Sequence, residues 1–139
     1  MGKVKAARNR VKAQRSGLSA ERWACWLLRL KGYRILAVNW RCPAGEVDIL
    51  ARRGSILAAI EVKRRMESDY TGKPRDDATA LHAISPKQQQ RIARAAEAFM
   101  GRRADCRSVT LRLDAITVLP GFLWPRLRHY PAAWQGDSA

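Results

Sequence analysis

Gly45-Glu46-Val47-Asp48-Ile49-Leu50 and Ile56-Leu57-Ala58-Ala59-Ile60-Glu61-Val62-Lys63-Arg64-Arg65 decide how this chain is read. Both stretches are short, apolar and rich in branched side chains, and Arg53-Gly54 lies between them, so they predict two antiparallel strands joined by a tight turn. A turn centred on Arg53-Gly54 sets Asp48 opposite Ala59 and diagonal to Glu61. Alternate residues of a strand point to opposite faces. Val47, Ile49 and Ala51 therefore share one apolar face with Ile60, Ala58 and Ile56, while Asp48, Glu61 and Lys63 fall together on the other, beside Leu50, Leu57 and Ala59. Diagonal neighbours on such a ladder are ~7–8 Å apart, close enough for two carboxylates to reach one cation.

That charged face has two explanations. A cross-strand salt bridge on a half-exposed sheet is the plainer one, worth under about 1 kcal/mol. The apolar neighbours weigh against it, because an unpaired ion at the edge of a core is costly unless something compensates it. The other explanation is a metal site for phosphodiester hydrolysis, a reaction that needs a hard cation to polarise a phosphoryl oxygen and to acidify a bound water. Mg²⁺ accepts a few carboxylate oxygens while keeping waters, and Mn²⁺ suits the same oxygen donors. Asp48 and Glu61 would be the ligands, with the backbone carbonyl of Val62 a further one. Lys63 would orient or deprotonate the attacking water, or stabilise charge developing on the phosphate.

Composition points to the same kind of partner. The 139 residues fit one domain with a substantial core. Lysine and arginine number 27 against 12 acidic residues, a net charge of +15, which attracts polyanions: nucleic acid first, anionic lipid or acidic protein behind it. A basic but merely solvated surface is the alternative. Cys25, Cys42 and Cys106 form no CxxC pair and the histidines are only His82 and His129, which argues against disulfides or structural zinc and for a reducing, cytoplasmic setting. No apolar run is long enough to span a bilayer, so no membrane partner is expected.

Residues 1–17 carry six basic side chains and no acid, and read as a flexible basic arm, either a non-specific phosphate contact or an inconsequential terminus. Residues 18–119 form the main unit. Ser19 is the expected N-cap of a helix with apolar positions Ala20, Trp23, Ala24, Leu27, Leu28 and Leu30, stopped by Gly32. Glu21 falls in its first turn, where the helix dipole alone favours a carboxylate. Tyr33–Arg41 is the expected first strand, and the hairpin follows. The polar stretch between Met66 and Ser85 reads as a mobile loop. Ser85-Pro86 then caps a helix ending at Gly101, with Ile92, Ala95, Ala96, Phe99 and Met100 on its apolar face. Val109–Leu119 is the fourth strand, with Arg112 and Asp114 on one side. Residues 120–139, broken by Pro120, Pro125 and Pro131, are expected to pack aromatics on the body without regular structure of their own.

The ordered set Glu21 with Ala24, Gly32-Tyr33-Arg34-Ile35-Leu36, Asn39-x-Arg41, Gly45-Glu46-Val47-Asp48, Glu61-Val62-Lys63-x-Arg65, Lys87, Arg112-x-Asp114 and His129-Tyr130-Pro131-x-Ala133-Trp134 resembles the YraN-like family of predicted bacterial endonucleases. The wider resemblance, Asp48 followed by Glu61-x-Lys63, is to the D…(D/E)xK core of the restriction-endonuclease-like superfamily, which includes Holliday junction resolvases. Ala20 stands where the family commonly has glycine, and Leu113 and Ala115 replace Phe and Val. The resemblance implies an α/β fold with a central mixed four-stranded sheet flanked by helices, in the order α-β-β-β-α-β. It also implies that Asp48 and Glu61 bind Mg²⁺ or Mn²⁺, that Lys63 assists the water, and that Glu21 reaches the site from the first helix. Junction nucleases of that superfamily often act as symmetric dimers, so a homodimer is compatible. The function expected is a metal-dependent endonuclease acting on branched or structured DNA, with Arg41, Arg64, Arg65, Lys87 and Arg91 contacting the nucleic acid. A nucleic-acid-binding module of the same fold that cleaves nothing is the alternative.

Overall fold

A computed structural model describes residues 20–64, 84–119, 121 and 123–134. The basic arm, Ser19, Arg65 and most of the Met66–Ser85 stretch lie outside the described residues. Helix α1 (residues 20–30) is followed by strands β1 (Arg34–Cys42), β2 (Gly45–Arg53) and β3 (Ile56–Arg64), helix α2 (Pro86–Gly101), a short 3₁₀ turn (Ala104–Cys106), and strands β4 (Thr110–Leu119) and β5 (Arg126–Trp134).

The helix ends follow the residues expected to punctuate them. At the end of α1 the Gly32 N–H donates to Arg29 and the Tyr33 N–H to Leu28, with Gly32 at φ 89°, a left-handed C-terminal position that glycine adopts without steric cost. The Ser85 hydroxyl accepts from the Gln88 N–H and Pro86 opens α2. Ile92, Ala95, Ala96 and Phe99 are the buried face of α2.

The sheet is mixed, in the order β1-β2-β3-β4-β5, antiparallel except for the parallel β3–β4 pair. It has five strands rather than four. The fifth lies in the stretch expected to lack regular structure: β5 pairs along β4 from Leu119↔Arg126 to Leu113↔Trp134. Prolines obscured it, but a proline at the sheet edge removes no ladder bond that an inner strand needs. Ile49, Ala51, Ala58, Ile60, Ile116 and Val118 pack against α1 through Ala24, Cys25 and Leu28. Leu50, Leu57, Ala59 and Leu113 pack on the opposite face against α2. Gly45, at the start of β2, passes so close to α2 that a Cβ there would stand 2.3 Å from the Arg91 carbonyl oxygen.

Two details of the hairpin differ from expectation. The turn is Gly54-Ser55, with Arg53 paired to Ile56, because the positive φ of 59° falls at Gly54 and the first turn position is where glycine is needed. Pairing shifts by two residues, so the side chains from Ile49 to Ala51 and from Leu57 to Ile60 keep their faces, but Leu50 now opposes Ala59 and Ile49 opposes Ile60. Val47 also departs. It packs in the α2 cluster rather than beside Ile49, at the end of β2 that has β1 alone as ladder partner.

Asp114 is fully buried on β4 and ties β5 to the sheet. Its two oxygens accept from Arg112 Nε and Nη2 at 2.8 Å each, His129 Nε2 lies 2.8 Å from Oδ2, and the Ala132 N–H donates to Oδ1 at 3.0 Å. Arg112 also donates to the Tyr33 hydroxyl, and Lys31 Nζ contacts the other nitrogen of the His129 ring. Burial alone would raise the Asp114 pKa; the bonds from His129, Arg112 and Ala132 overcome it and hold the carboxyl below its ordinary value. Removing one member of a buried pair leaves the other charge unmatched. Asp114→Ala is therefore expected to destabilise the protein by ~3–5 kcal/mol. Arg41→Ala, which breaks the exposed 3.3 Å pair with Glu46, should cost less than about 1 kcal/mol. Urea unfolding of the two variants beside the parent checks both values.

Candidate metal and nucleic-acid site

At one end of the sheet the central hairpin opens. β2 and β3 are paired from Arg53↔Ile56 to Ile49↔Ile60 and no further, although both strands continue. Beyond that point β2 follows β1 to Cys42↔Gly45, while β3 follows β4 to Arg64↔Val118. The next positions past the last pair are Asp48 and Glu61, so the two carboxylates face each other across the fork instead of lying diagonal. The Asp48 side chain replaces the missing backbone acceptor: its Oδ2 accepts from the Val62 N–H at 2.8 Å. The N–H and C=O of one strand residue point to the same lateral side, so the Val62 carbonyl is also directed into the fork.

Glu61 is buried, and three groups bear on it. Gln88, from the first turn of α2, donates to Oε1 at 2.9 Å, and Lys63 Nζ lies 3.4 Å from the same oxygen. The ion pair that the plainer alternative set across the strands thus runs along β3. Burial, and next the charge of Asp48, push Glu61 up to about 7, which Lys63 opposes without cancelling. Asp48 is also raised, by burial first, against the bond from Val62. Two acids that both resist ionisation at one point form a site that favours a proton or a cation.

Glu21 approaches from the first turn of α1. Its Oε2 accepts from Asn39 Nδ2 at 2.8 Å; burial raises its pKa, the Asn39 bond lowers it, and the charge of Asp48 raises it further. It therefore lies within the field of Asp48, but among the described residues no three His, Cys, Asp or Glu side chains converge as a ligand group. The donors at the fork are two carboxylates and one carbonyl, all hard oxygens, a set suited to Mg²⁺ or Mn²⁺ retaining several waters. The basic residues expected to meet nucleic acid are exposed around this end: Arg41 on β1, Arg64 at the end of β3, and Lys87 and Arg91 in the first turns of α2.

Gln88 and Asn39 were not among the candidate site residues. Gln88 gives no signal beyond a polar position in a helix. Asn39 does, being a mid-strand residue of a type that tolerates left-handed backbone; it has φ 52°.

The family model described as Uncharacterised protein family UPF0102 matches residues 20–118. The chain belongs to this family. UPF0102 is the YraN-like family to which the sequence motifs pointed. UPF0102 proteins of Parvibaculum lavamentivorans and Rhodopseudomonas palustris are each 43% identical to it, over 123 residues (88% of this chain, 84% of the relative) and 132 residues (95% and 89%) respectively. One from Paramagnetospirillum magneticum is 41% identical over 141 residues, 99% of this chain and 100% of its own length. Among the described residues of this UPF0102 chain no helix is long and apolar enough to cross a membrane.

The raised acids have a measurable consequence. Glu61 binds a proton more tightly in the folded state, at about 7, than at its ordinary 4.5, so its contribution to stability is complete below the unfolded value and is lost as pH rises through the folded one. In metal-free buffer, stability should fall across that window. Glu61→Gln, which keeps the shape but cannot ionise, should flatten the slope, as urea unfolding at a series of pH values will show. A variant that tracks the parent at every pH counts against the assignment.

Proposed function

We propose that this UPF0102 protein is a divalent-metal-dependent endonuclease with a restriction-endonuclease-like core, hydrolysing DNA phosphodiesters in branched or structured DNA. The observation that carries this reading is the pairing of Asp48 and Glu61 across the fork with both acids raised by burial and Lys63 beside them. Burying two like charges together is unfavourable for folding and gains a purpose if a cation completes the site.

Asp48, Glu61 and the Val62 carbonyl would hold Mg²⁺ or Mn²⁺. When bound, the ion supplies polarisation of the phosphoryl oxygen and a more acidic water. Asp48 is held in place by the Val62 N–H, and Gln88 orients Glu61. Lys63, 3.4 Å from Glu61, would orient the attacking water and offset the negative charge building on the phosphoryl oxygens as the bond to the leaving oxygen breaks. Glu21, restrained by Asn39, adds negative charge from the α1 side. Arg41, Arg64, Lys87 and Arg91, with Arg65 and the basic arm, would bind flanking phosphates, a contribution that weakens with salt. A symmetric homodimer would supply one such centre per strand. The free thiols of Cys25, Cys42 and Cys106 accord with a cytoplasmic setting.

A nucleic-acid-binding module that does not cleave is the second reading. The ion pair of Lys63 with Glu61 favours it, since it partly satisfies the carboxylate without any cation. Linear, flapped and four-way-junction DNAs incubated with Mg²⁺ or Mn²⁺ separate the two. The nuclease reading expects cleavage that drops at least ~100-fold in Glu61→Ala and in Lys63→Ala. Metal-independent binding with no cleavage of any substrate would leave the binding module.

A further inference from the structure

The outer face of α1 carries a feature that the metal site does not use. Trp26 is 52% exposed and Trp124, in the turn between β4 and β5, is 72% exposed. Half-buried Trp23 joins them, its ring meeting Trp26 edge-on at 5.8 Å and Trp124 edge-on at 6.3 Å. Three indoles thus form one continuous ridge whose two outer members turn large apolar area to solvent. An exposed aromatic cluster of this kind is costly in water and normally marks a binding surface.

Position and charge indicate what covers it. β3 and β4 are parallel, so the end of β4, and with it the turn carrying Trp124, lies at the same end of the sheet as Glu61 and Lys63. Trp23 and Glu21 both belong to the first turns of α1, on different faces of the helix. Arg22 and Arg29, one helical turn on either side of Trp26, are both exposed. A second copy of the chain seated on this face by a two-fold axis would bring those arginines against each other. A polyanion with flat apolar groups meets both features: arginines take the phosphates and indole faces take the bases.

We propose that the Trp23–Trp26–Trp124 ridge binds single-stranded nucleic acid by stacking unpaired bases on Trp26 and Trp124, at the same end of the sheet as the candidate metal site. The proposal rests on the nucleic-acid reading above and narrows the substrate to one with an unpaired segment, such as a flap or an opened junction arm. Every base has a π-face, so the ridge would be indifferent to sequence. Duplex DNA, whose bases are stacked internally, would gain nothing from it.

The test is binding without turnover. Affinities for a fluorescent oligothymidine and for a blunt duplex of equal length are measured in EDTA at fixed salt, for the parent, Trp26→Ala, Trp124→Ala and Trp26→Phe. Each alanine variant should lose ~5- to 100-fold for the oligothymidine and less than about twofold for the duplex, with Trp26→Phe largely restoring the loss because it keeps a stacking ring. Both Trp residues are exposed, so unchanged thermal unfolding is expected. Equal affinities of parent and variants for oligothymidine would overturn the proposal, as would equal losses on both DNAs. So would a parent dimer in sedimentation, or binding to anionic phospholipid vesicles, that the substitutions abolish while oligothymidine affinity holds. Because no metal is present, these results stand apart from the cleavage assay: the ridge can fail while Glu61-dependent cleavage is found, or hold while none is.

Discussion

The bond from the Val62 N–H to the Asp48 carboxylate is the contact on which the site depends. A sheet whose central strands part must leave backbone groups without ladder partners, and a buried N–H left so is costly. Here a side chain takes that role at 2.8 Å. The same bond that lets β2 and β3 separate fixes Asp48 opposite Glu61 and turns the Val62 carbonyl into the gap. Lengthening the hairpin ladder by one more pair would close the fork and remove the space in which the acids meet.

Electrostatics at the fork oppose those of the surface. The chain as a whole is strongly basic, yet its one end gathers Glu21, Asp48 and Glu61, and burial outweighs Lys63 in setting the two inner acids. Under the proposed reading, exposed arginine and lysine around this acidic centre would attract a polyanion to a place its phosphates could not approach without a counter-charge. A cation between acid and phosphate, as proposed, would reconcile the two.

The second buried polar network has a structural task. Asp114 gathers bonds from Arg112, His129 and the Ala132 N–H, joining β4 to β5, while Arg112 reaches Tyr33 just past the end of α1 and Lys31, beside it, reaches His129 on β5. A buried carboxylate held below its ordinary pKa stays ionised within its bonds; half-buried Asp48 and buried Glu61 are raised instead. Neighbours, rather than burial alone, distinguish the two kinds of buried acid in this chain.

Much of this was determined locally. The period of two along a strand placed Ile49 and Ala51 with Ala58 and Ile60, and Leu50 with Leu57 and Ala59, whatever the exact register, and Ser85-Pro86 and Gly101 bounded α2 through backbone preferences that need no tertiary partner. The two-residue shift of the hairpin was not visible, because Arg53-Gly54 and Gly54-Ser55 are both plausible turns and only the strand pairing chooses between them. β5 was hidden by its prolines, and its pairing draws on Asp114, 15 residues from His129 in sequence and 18 from Ala132. The reach of Gln88 to Glu61 and of Asn39 to Glu21 likewise depends on how α2 and α1 dock. Side-chain parity is a property of each strand alone, so where β2 and β3 are paired the sequence by itself determined which residues share a face; at Val47, beyond the last pair, it did not. Where the ladder ends, which groups then lose their partners and what moves in to replace them depend on strands and helices distant in sequence, and only the tertiary structure decided those.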